Sequence, residues 1–238
     1  MTKKRLAAGA ALSASILLLG GCEMLNQEEE WTPRESGAIS VGEDGKITEY
    51  ISETLDQAYY SSSELQNMIT SEVNDYNSKN GENSVVMKNF EAEGSQVKLE
   101  MEYAKAADYA AFNNVEFYYG SMINAQLEGY LFDVSYKKVK NGVVQGSAVS
   151  GTEVLKNMAD EVLVVQAPLE VHVPGNVLFT STNAEVLSSS TVNATGESEK
   201  TEDEGLVLPS SAVYQDQKES SFDEERAAKR VYIVFETE

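Results

Sequence analysis

Val231-Tyr232-Ile233-Val234-Phe235-Glu236 is the stretch that decides the fold. It is apolar at successive positions, not alternate ones, so a strand running through it needs cover on both faces. Such a strand belongs in the interior of a sheet. Coming after the rest of the sequence, it must insert between strands laid down earlier, and the segment before it must then be an excursion from one domain. That segment includes Glu197 to Gly205, with five acidic residues, one lysine and no apolar member. It cannot bury apolar area, and it predicts a mobile acidic loop at about residues 197–209. Ser221 and Glu224 are placed to cap a short helix through Lys229.

Upstream, Ala38 to Val41 and Lys46 to Ser52 read as strands joined by a turn at Asp44-Gly45. Gln96 to Tyr103 alternates Val97, Leu99, Met101 and Tyr103 with charged residues, and pairs with Ser84 to Ala92 across Glu93-Gly94-Ser95 as a half-buried hairpin. Phe132 to Lys140 and Val143 to Val149 pair across Asn141-Gly142. Val162 to Gln166 and Leu169 to Val173 read as two strands around Ala167-Pro168, closed by Pro174-Gly175. Asn176 to Thr180 and Ala184 to Asn193, rich in Ser, Thr and Val, suit exposed strands, and Val115 to Tyr119 a further one.

Helices are fewer. Ser61-Ser62-Ser63-Glu64 offers a capping box, and Leu65, Met68, Ile69, Val73 and Tyr76 then recur on one helical face up to the Asn80-Gly81 stop. Short helices are expected over Lys105 to Phe112, over Ser121 to Leu127, and after Thr152 as N-cap, carrying Val154, Leu155 and Met158. The whole predicts an α+β fold: one domain over 38–238, a mainly antiparallel sheet with a few packed helices and a strand-rich C-terminal half.

The N-terminus carries an address. Lys3, Lys4 and Arg5 precede an apolar run from Leu6 to Leu19, and then come Gly20, Gly21 and Cys22. The run from Leu6 to Gly21 is short of the roughly 20 strongly apolar residues that a membrane span needs. Leu19-Gly20-Gly21-Cys22 resembles the lipobox of bacterial lipoproteins. That resemblance implies a signal peptide over 1–21, cleavage ahead of Cys22, and a diacylglyceryl group on the Cys22 thiol that holds the protein on the outer side of the cell membrane. Two acyl chains suffice for stable anchoring. Residues 22–37, with Gln27-Glu28-Glu29-Glu30 and Trp31-Thr32-Pro33, read as a flexible tether.

Charge and cysteine content exclude several classes of function. The formal charge is −21, and loss of residues 1–21, which hold three basic and no acidic side chains, takes it to −24. Such a surface repels nucleic acid and favours cationic partners or divalent ions. Cys22 is the one cysteine, so no intrachain disulfide, thiolate nucleophile or cysteine metal site is available once it is lipidated.

Motifs for catalysis are absent. The single histidine, His172, shares with Glu170 the polar face of an alternating strand and reads as a solvated residue. Ser95-Gln96-Val97-Lys98 and Ser135-Tyr136-Lys137-Lys138 have the Ser-x-x-Lys spacing, but on strand patterns, which point the two side chains apart. Asp75 to Gly81 opens like a calcium loop, yet its fifth position is Lys79 and its twelfth Val86, so it reads as a helix end. No cofactor, catalytic residue or dedicated metal site is expected, only weak divalent-cation binding at surface carboxylates. A hydrolase built on two carboxylates from distant strands stays open as a distant third reading, since such pairs leave no local motif.

What remains is an aromatic cluster. Of 20 aromatic residues, nine fall between Tyr103 and Tyr136. In Phe117-Tyr118-Tyr119 adjacent rings must face opposite sides of a strand, so at least one of Tyr118 and Tyr119 lies away from the main core. With Tyr130 they form a candidate ligand-binding set.

The middle of the chain resembles envelope lipoproteins of the LppM type and uncharacterised envelope lipoproteins of Gram-positive gut bacteria. The resemblance rests on Ile39 to Ile47 with its Asp44-Gly45 turn, the capped helix from Glu64, Val171-His172-Val173-Pro174-Gly175-Asn176-Val177, Asn183-Ala184-Glu185-Val186 and Thr191-Val192. It departs at Asn193, where those proteins often carry tryptophan. The sequence thus leads to the expectation of a lipid-anchored, non-catalytic module that binds an envelope component, lipid, peptide or protein partner. The alternative is an assembly accessory that acts through protein contacts.

Overall fold

A computed structural model describes residues 31–33, 37–55, 61–194 and 230–237. The expected signal segment, Cys22, most of the expected tether, the expected acidic loop and the helix expected up to Lys229 lie outside the described residues. The described residues from Thr32 onward form one compact unit. It is α+β, with two antiparallel-rich sheets and, among the described residues, four helices.

The first sheet is built from β1 (Gly37–Val41), β2 (Ile47–Thr54), β3 (Val85–Glu93), β4 (Gln96–Tyr103), β9 (Leu169–His172), β11 (Glu185–Val186) and β12 (Thr191–Ala194), in the order β11-β12-β9-β1-β2-β4-β3. The second runs β5-β8-β13-β10-β6-β7, from β5 (Phe117–Ser121), β6 (Ser135–Lys140), β7 (Val143–Ser150), β8 (Glu161–Val165), β10 (Gly175–Ser181) and β13 (Val231–Thr237). Ile39, Ile47, Met101, Val171 and Val192 from the first sheet meet Leu163, Val165, Ile233 and Phe235 from the second in one core. The far side of the second sheet carries another, in which Tyr118, Val162, Val164, Tyr232 and Val234 pack against Met122 and Ala125 of α3 (Met122–Leu127), Val154 of α4 (Gly151–Val154), and Phe132.

This layering accounts for β13. It lies between β8 and β10, antiparallel to both, with Val231, Ile233 and Phe235 facing one core and Tyr232 and Val234 the other. All five are essentially inaccessible to solvent. β8 is apolar on both faces for the same reason. By contrast β4 has one buried face, and its Val97, Leu99, Met101 and Tyr103 stand opposite Glu53, Ile51, Glu49 and Ile47 of β2.

Turn chemistry sets the hairpins. Asn141 and Gly142 both have positive φ, the requirement of a two-residue turn between twisted strands, and β6 and β7 pair across them. α1 (Ser62–Asn80) begins where the capping box predicts, with the Glu64 backbone N–H donating to Ser61 Oγ at 3.3 Å, and it ends at Gly81. α2 (Ala106–Asn113) follows β4.

Several expectations are corrected. β8 and β9 are not a pair: they belong to different sheets, and residues 166–168 carry the chain between layers. A short link between two apolar runs reads as a hairpin, but three residues also allow the chain to change layers. β10 and β12 are not exposed strands, since Val177, Thr180, Ser181, Thr191, Val192 and Ala194 are buried. Their hydroxyls are usable inside because the backbone can satisfy them, as where the Tyr232 N–H donates to Ser181 Oγ at 3.0 Å. The fourth helix is capped by Ser150, not Thr152, and spans only Gly151–Val154, leaving Met158 beyond it.

Glu170 is likewise fully buried rather than solvated, and His172 is half-buried, with Nδ1 3.2 Å from Thr191 Oγ1. Desolvation lowers the imidazole pKa. Alternation assigned both residues correctly to the face opposite Val171. Periodicity distinguishes the two faces of a strand but does not say whether the second one is covered.

Candidate functional site

The α1 helix is fastened at one end. In its C-terminal half Val73 is buried, Tyr76 packs edge-on to Phe112 at 5.5 Å, and the Tyr76 hydroxyl donates to Asp108 Oδ1 at 3.1 Å. Asn77 closes a two-way clamp on β3: its Nδ2 donates to the Val85 carbonyl at 2.8 Å and its Oδ1 accepts from the Val85 N–H at 2.9 Å. Among the described residues, no side-chain hydrogen bond ties the N-terminal half to another element. Leu65, Ile69 and Glu72, on one face of the helix, instead roof a cleft of about 290 Å³ whose floor is β2 and β4 and whose end wall is Phe112 and Asn113 of α2.

The walls of the cleft are largely apolar, from Ile51, Leu65, Ile69, Val97, Leu99, Met101 and Phe112. Its volume lies at the small end of the range for small-molecule sites, and a few converging polar groups in an apolar hollow are the usual mark of one. Here the convergence is on Glu49. The strand places its side chain on the inner face, between Ile47 and Ile51 and opposite Met101. The Tyr103 hydroxyl donates to Glu49 Oε2 at 2.5 Å, and Asn113 Nδ2 donates to the Tyr103 oxygen at 3.0 Å. Tyr109, 5.1 Å from Tyr103 between ring centroids, lies close enough to Glu49 for that charge to bear on its phenol.

Two opposing effects act on Glu49. Desolvation raises its pKa and outweighs the donors from Tyr103, Asn113 and Tyr109, which favour the ionised form. Burial together with the neighbouring Glu49 charge also drives the Tyr103 and Tyr109 phenols well above their ordinary range, so both remain donors at neutral pH. Glu53 and Glu72 also line the cleft but are exposed. Its three acids therefore do not form a facing buried pair of the kind that glycoside hydrolysis requires.

A second hollow, about 480 Å³, opens on the other face of the same strands, between Thr32 and Pro33 on one side and Tyr50, Ser52, Asn89, Glu91, Lys98 and Glu100 on the other. Its lining mixes both charges, with Lys98 beside Glu91 and Glu100.

No family model, curated protein or solved structure matches this chain. The site must therefore be read from its own residues.

The three tyrosines expected to bind ligand do not converge. Tyr118 and Tyr130 lie together, with ring centroids 5.0 Å apart, in the core beneath α3, and the Tyr118 hydroxyl donates to the Ser121 carbonyl at 3.0 Å. Desolvation pushes the Tyr118 phenol up to about 12. Tyr119 points to the opposite side of β5 and stacks on Phe235 at 6.1 Å. Two other members of the aromatic cluster, Tyr103 and Phe112, line the cleft instead. The residue that sequence reasoning missed is Glu49. The signal was present in Ile47-Thr48-Glu49-Tyr50-Ile51: the acid shares the alternating phase of two isoleucines.

Among the described residues, no group of three or more acidic, histidine or cysteine side chains could hold a metal ion, and no helix is long and apolar enough to cross a membrane.

Proposed function

We propose that the protein is a non-catalytic binding module, held outside the bacterial cytoplasmic membrane by lipidated Cys22, which takes a small, mainly apolar molecule into the cleft beneath α1. The observation that carries this reading is the cleft itself: apolar walls around one hydrogen-bonded acid, under the N-terminal half of α1. The anchor rests on the lipobox-like Leu19-Gly20-Gly21-Cys22. Native mass spectrometry of the full-length protein from a bacterial host tests the module, with a discrete mass released on mild denaturation as the expected result. Leu99→Trp fills the cleft and abolishes that mass without lowering the melting temperature appreciably. Retention of the mass in Leu99→Trp refutes the assignment of the site. The anchor is tested by the mass of the N-terminal peptide, which carries a diacylglyceryl group on Cys22 and loses it in Cys22→Ser.

A second reading, an assembly accessory that acts by protein contacts, is favoured by Ile123, Leu127 and Leu131, which are 52%, 80% and 51% exposed on α3 and the loop after it. Ile123 and Leu127 share one face of that helix. Ile123→Ser combined with Leu127→Ser would disrupt such contacts and leave the mass bound in the cleft untouched.

A further inference from the structure

Among the described residues, the charges lining the cleft are all of one sign: Glu49 lies in the floor, Glu53 and Glu72 lie at the exposed rim, and no described lysine, arginine or histidine lines the space. Tyr103 donates to Glu49 through a neutral phenol, Tyr109 lies beside the pair, and Asn113 donates to Tyr103, so no cation answers the carboxyl from the described residues of β2, β4, α1 or α2. A carboxylate offers about four acceptor positions, and the phenolic donor from Tyr103 leaves it capacity for a further one. An apolar tube with an acid at its floor and acids at its mouth is complementary to an apolar chain ending in a cation.

Resting on the reading of the cleft as a binding site, we propose that its ligand is a small primary amine bearing an apolar chain, with the ammonium donating to the Glu49 carboxylate and the chain lying against Leu99, Met101, Ile69 and Phe112. The rim acids draw the cation in, and the apolar walls exclude a strongly hydrated ion that lacks such a chain. The raised pKa of Glu49 agrees with this, because among the described residues no cationic side chain answers the ionised acid, and a bound amine would.

Octylamine, octanol and octanoate share a chain length and differ in their head, and calorimetric titration of the full-length protein with each at pH 7 tests the proposal. Octylamine, protonated at that pH, should bind about ten- to a hundredfold more tightly than octanol, the worth of a charge-assisted hydrogen bond in a desolvated site, and octanoate should bind most weakly. Glu49→Gln should erase the advantage of the amine and leave octanol unchanged. Octanol binding as tightly as octylamine overturns the amine assignment but leaves the cleft standing as an apolar site. Failure of all three to bind overturns both. An amine preference that survives Glu49→Gln overturns the role given to Glu49. The comparison on the unaltered protein decides the ligand class even if Glu49→Gln does not fold. Glu72→Gln, at the exposed rim of the cleft, is the milder variant and should reduce the amine preference without changing octanol binding.

Discussion

Ile233→Ala tests the placement of β13 directly. The substitution removes three carbon atoms from a side chain that is wholly buried between two sheets, in a strand hydrogen-bonded on both edges. Transfer of the lost groups accounts for about 2.4 kcal/mol at roughly 0.8 kcal/mol each. Little relaxation into the void is available, because β8 and β10 hold the strand from both sides, and the cavity term brings the loss to about 3–4 kcal/mol. For a domain of this size each kcal/mol corresponds to about 2–4 °C, so the melting temperature should fall by about 6–16 °C. Val144→Ala serves as the control, since Val144 is 44% exposed on the edge strand β7 and its truncation should change stability by no more than about 0.5 kcal/mol. Urea and thermal unfolding, followed by circular dichroism on the full-length protein, measure both. If Ile233→Ala costs no more than Val144→Ala, the strand is not in the sheet interior and the two-core architecture is wrong.

Glu49→Gln should change the pH dependence of stability. Folding raises the Glu49 pKa above its ordinary 4.5, so the folded state holds that proton more tightly, and the contribution of the group is complete below about pH 4.5 and lost as the pH rises through the folded value. The variant should gain on the wild type across that window and keep the gain above it; a constant offset from pH 4 to 8 refutes the assignment. Gly151→Ala should cost about 3 kcal/mol or more, because a Cβ there would lie 1.4 Å from the Phe132 carbonyl oxygen. Gly37→Ala, with nothing within 4 Å of the added carbon, should stay within about 0.5 kcal/mol in the same unfolding assay. Arg230 meets Glu116 at 2.7 Å and lies over the Tyr130 ring at 5.4 Å, both ends of the ion pair being mostly shielded from solvent. Arg230→Met should cost about 2 kcal/mol, and markedly less in a Glu116→Gln background; equal losses in the two backgrounds would show that the pair is not coupled.

The parts of the fold that were legible in the sequence are those fixed by local chemistry. The Ser61 cap and Gly81 stop bounded α1. Asp44-Gly45 and Asn141-Gly142 marked hairpins, because few residues tolerate the backbone such turns demand. The unbroken apolar run at Val231 required cover on both faces, and the second sheet supplies it. Pairings between distant segments were not legible. β1 lies parallel to β9, joining residues more than a hundred positions apart, and no local signal selects that neighbour. The division of β8 and β9 between sheets was hidden in the same way, since a link of three residues permits a hairpin or a change of layer. The cleft was half legible. Alternation in β4 gave its apolar floor, and the helical stripe of Leu65 and Ile69 gave its roof, but that the two meet over Glu49 depends on how α1 is clamped to Val85. Tyr118 and Tyr119 were correctly assigned to opposite sides of a strand, and that is also why they share no site.

Because β13 stands between β8 and β10, the second sheet is two separate pieces until that strand arrives. One piece is β5-β8, the other β10-β6-β7, and no backbone hydrogen bond joins them without Val231–Thr237. A chain that has folded everything else still exposes two open strand edges flanking a slot of one strand's width, while Val-Tyr-Ile-Val-Phe, the segment that fills it, is unpaired and strongly β-forming. Closure is thus a long-range event in folding, and its rate sets how long those edges stay open. During that interval the missing strand of one molecule is interchangeable with that of its neighbour, so crowding during refolding should produce strand-exchanged dimers, whose number falls as the protein is diluted.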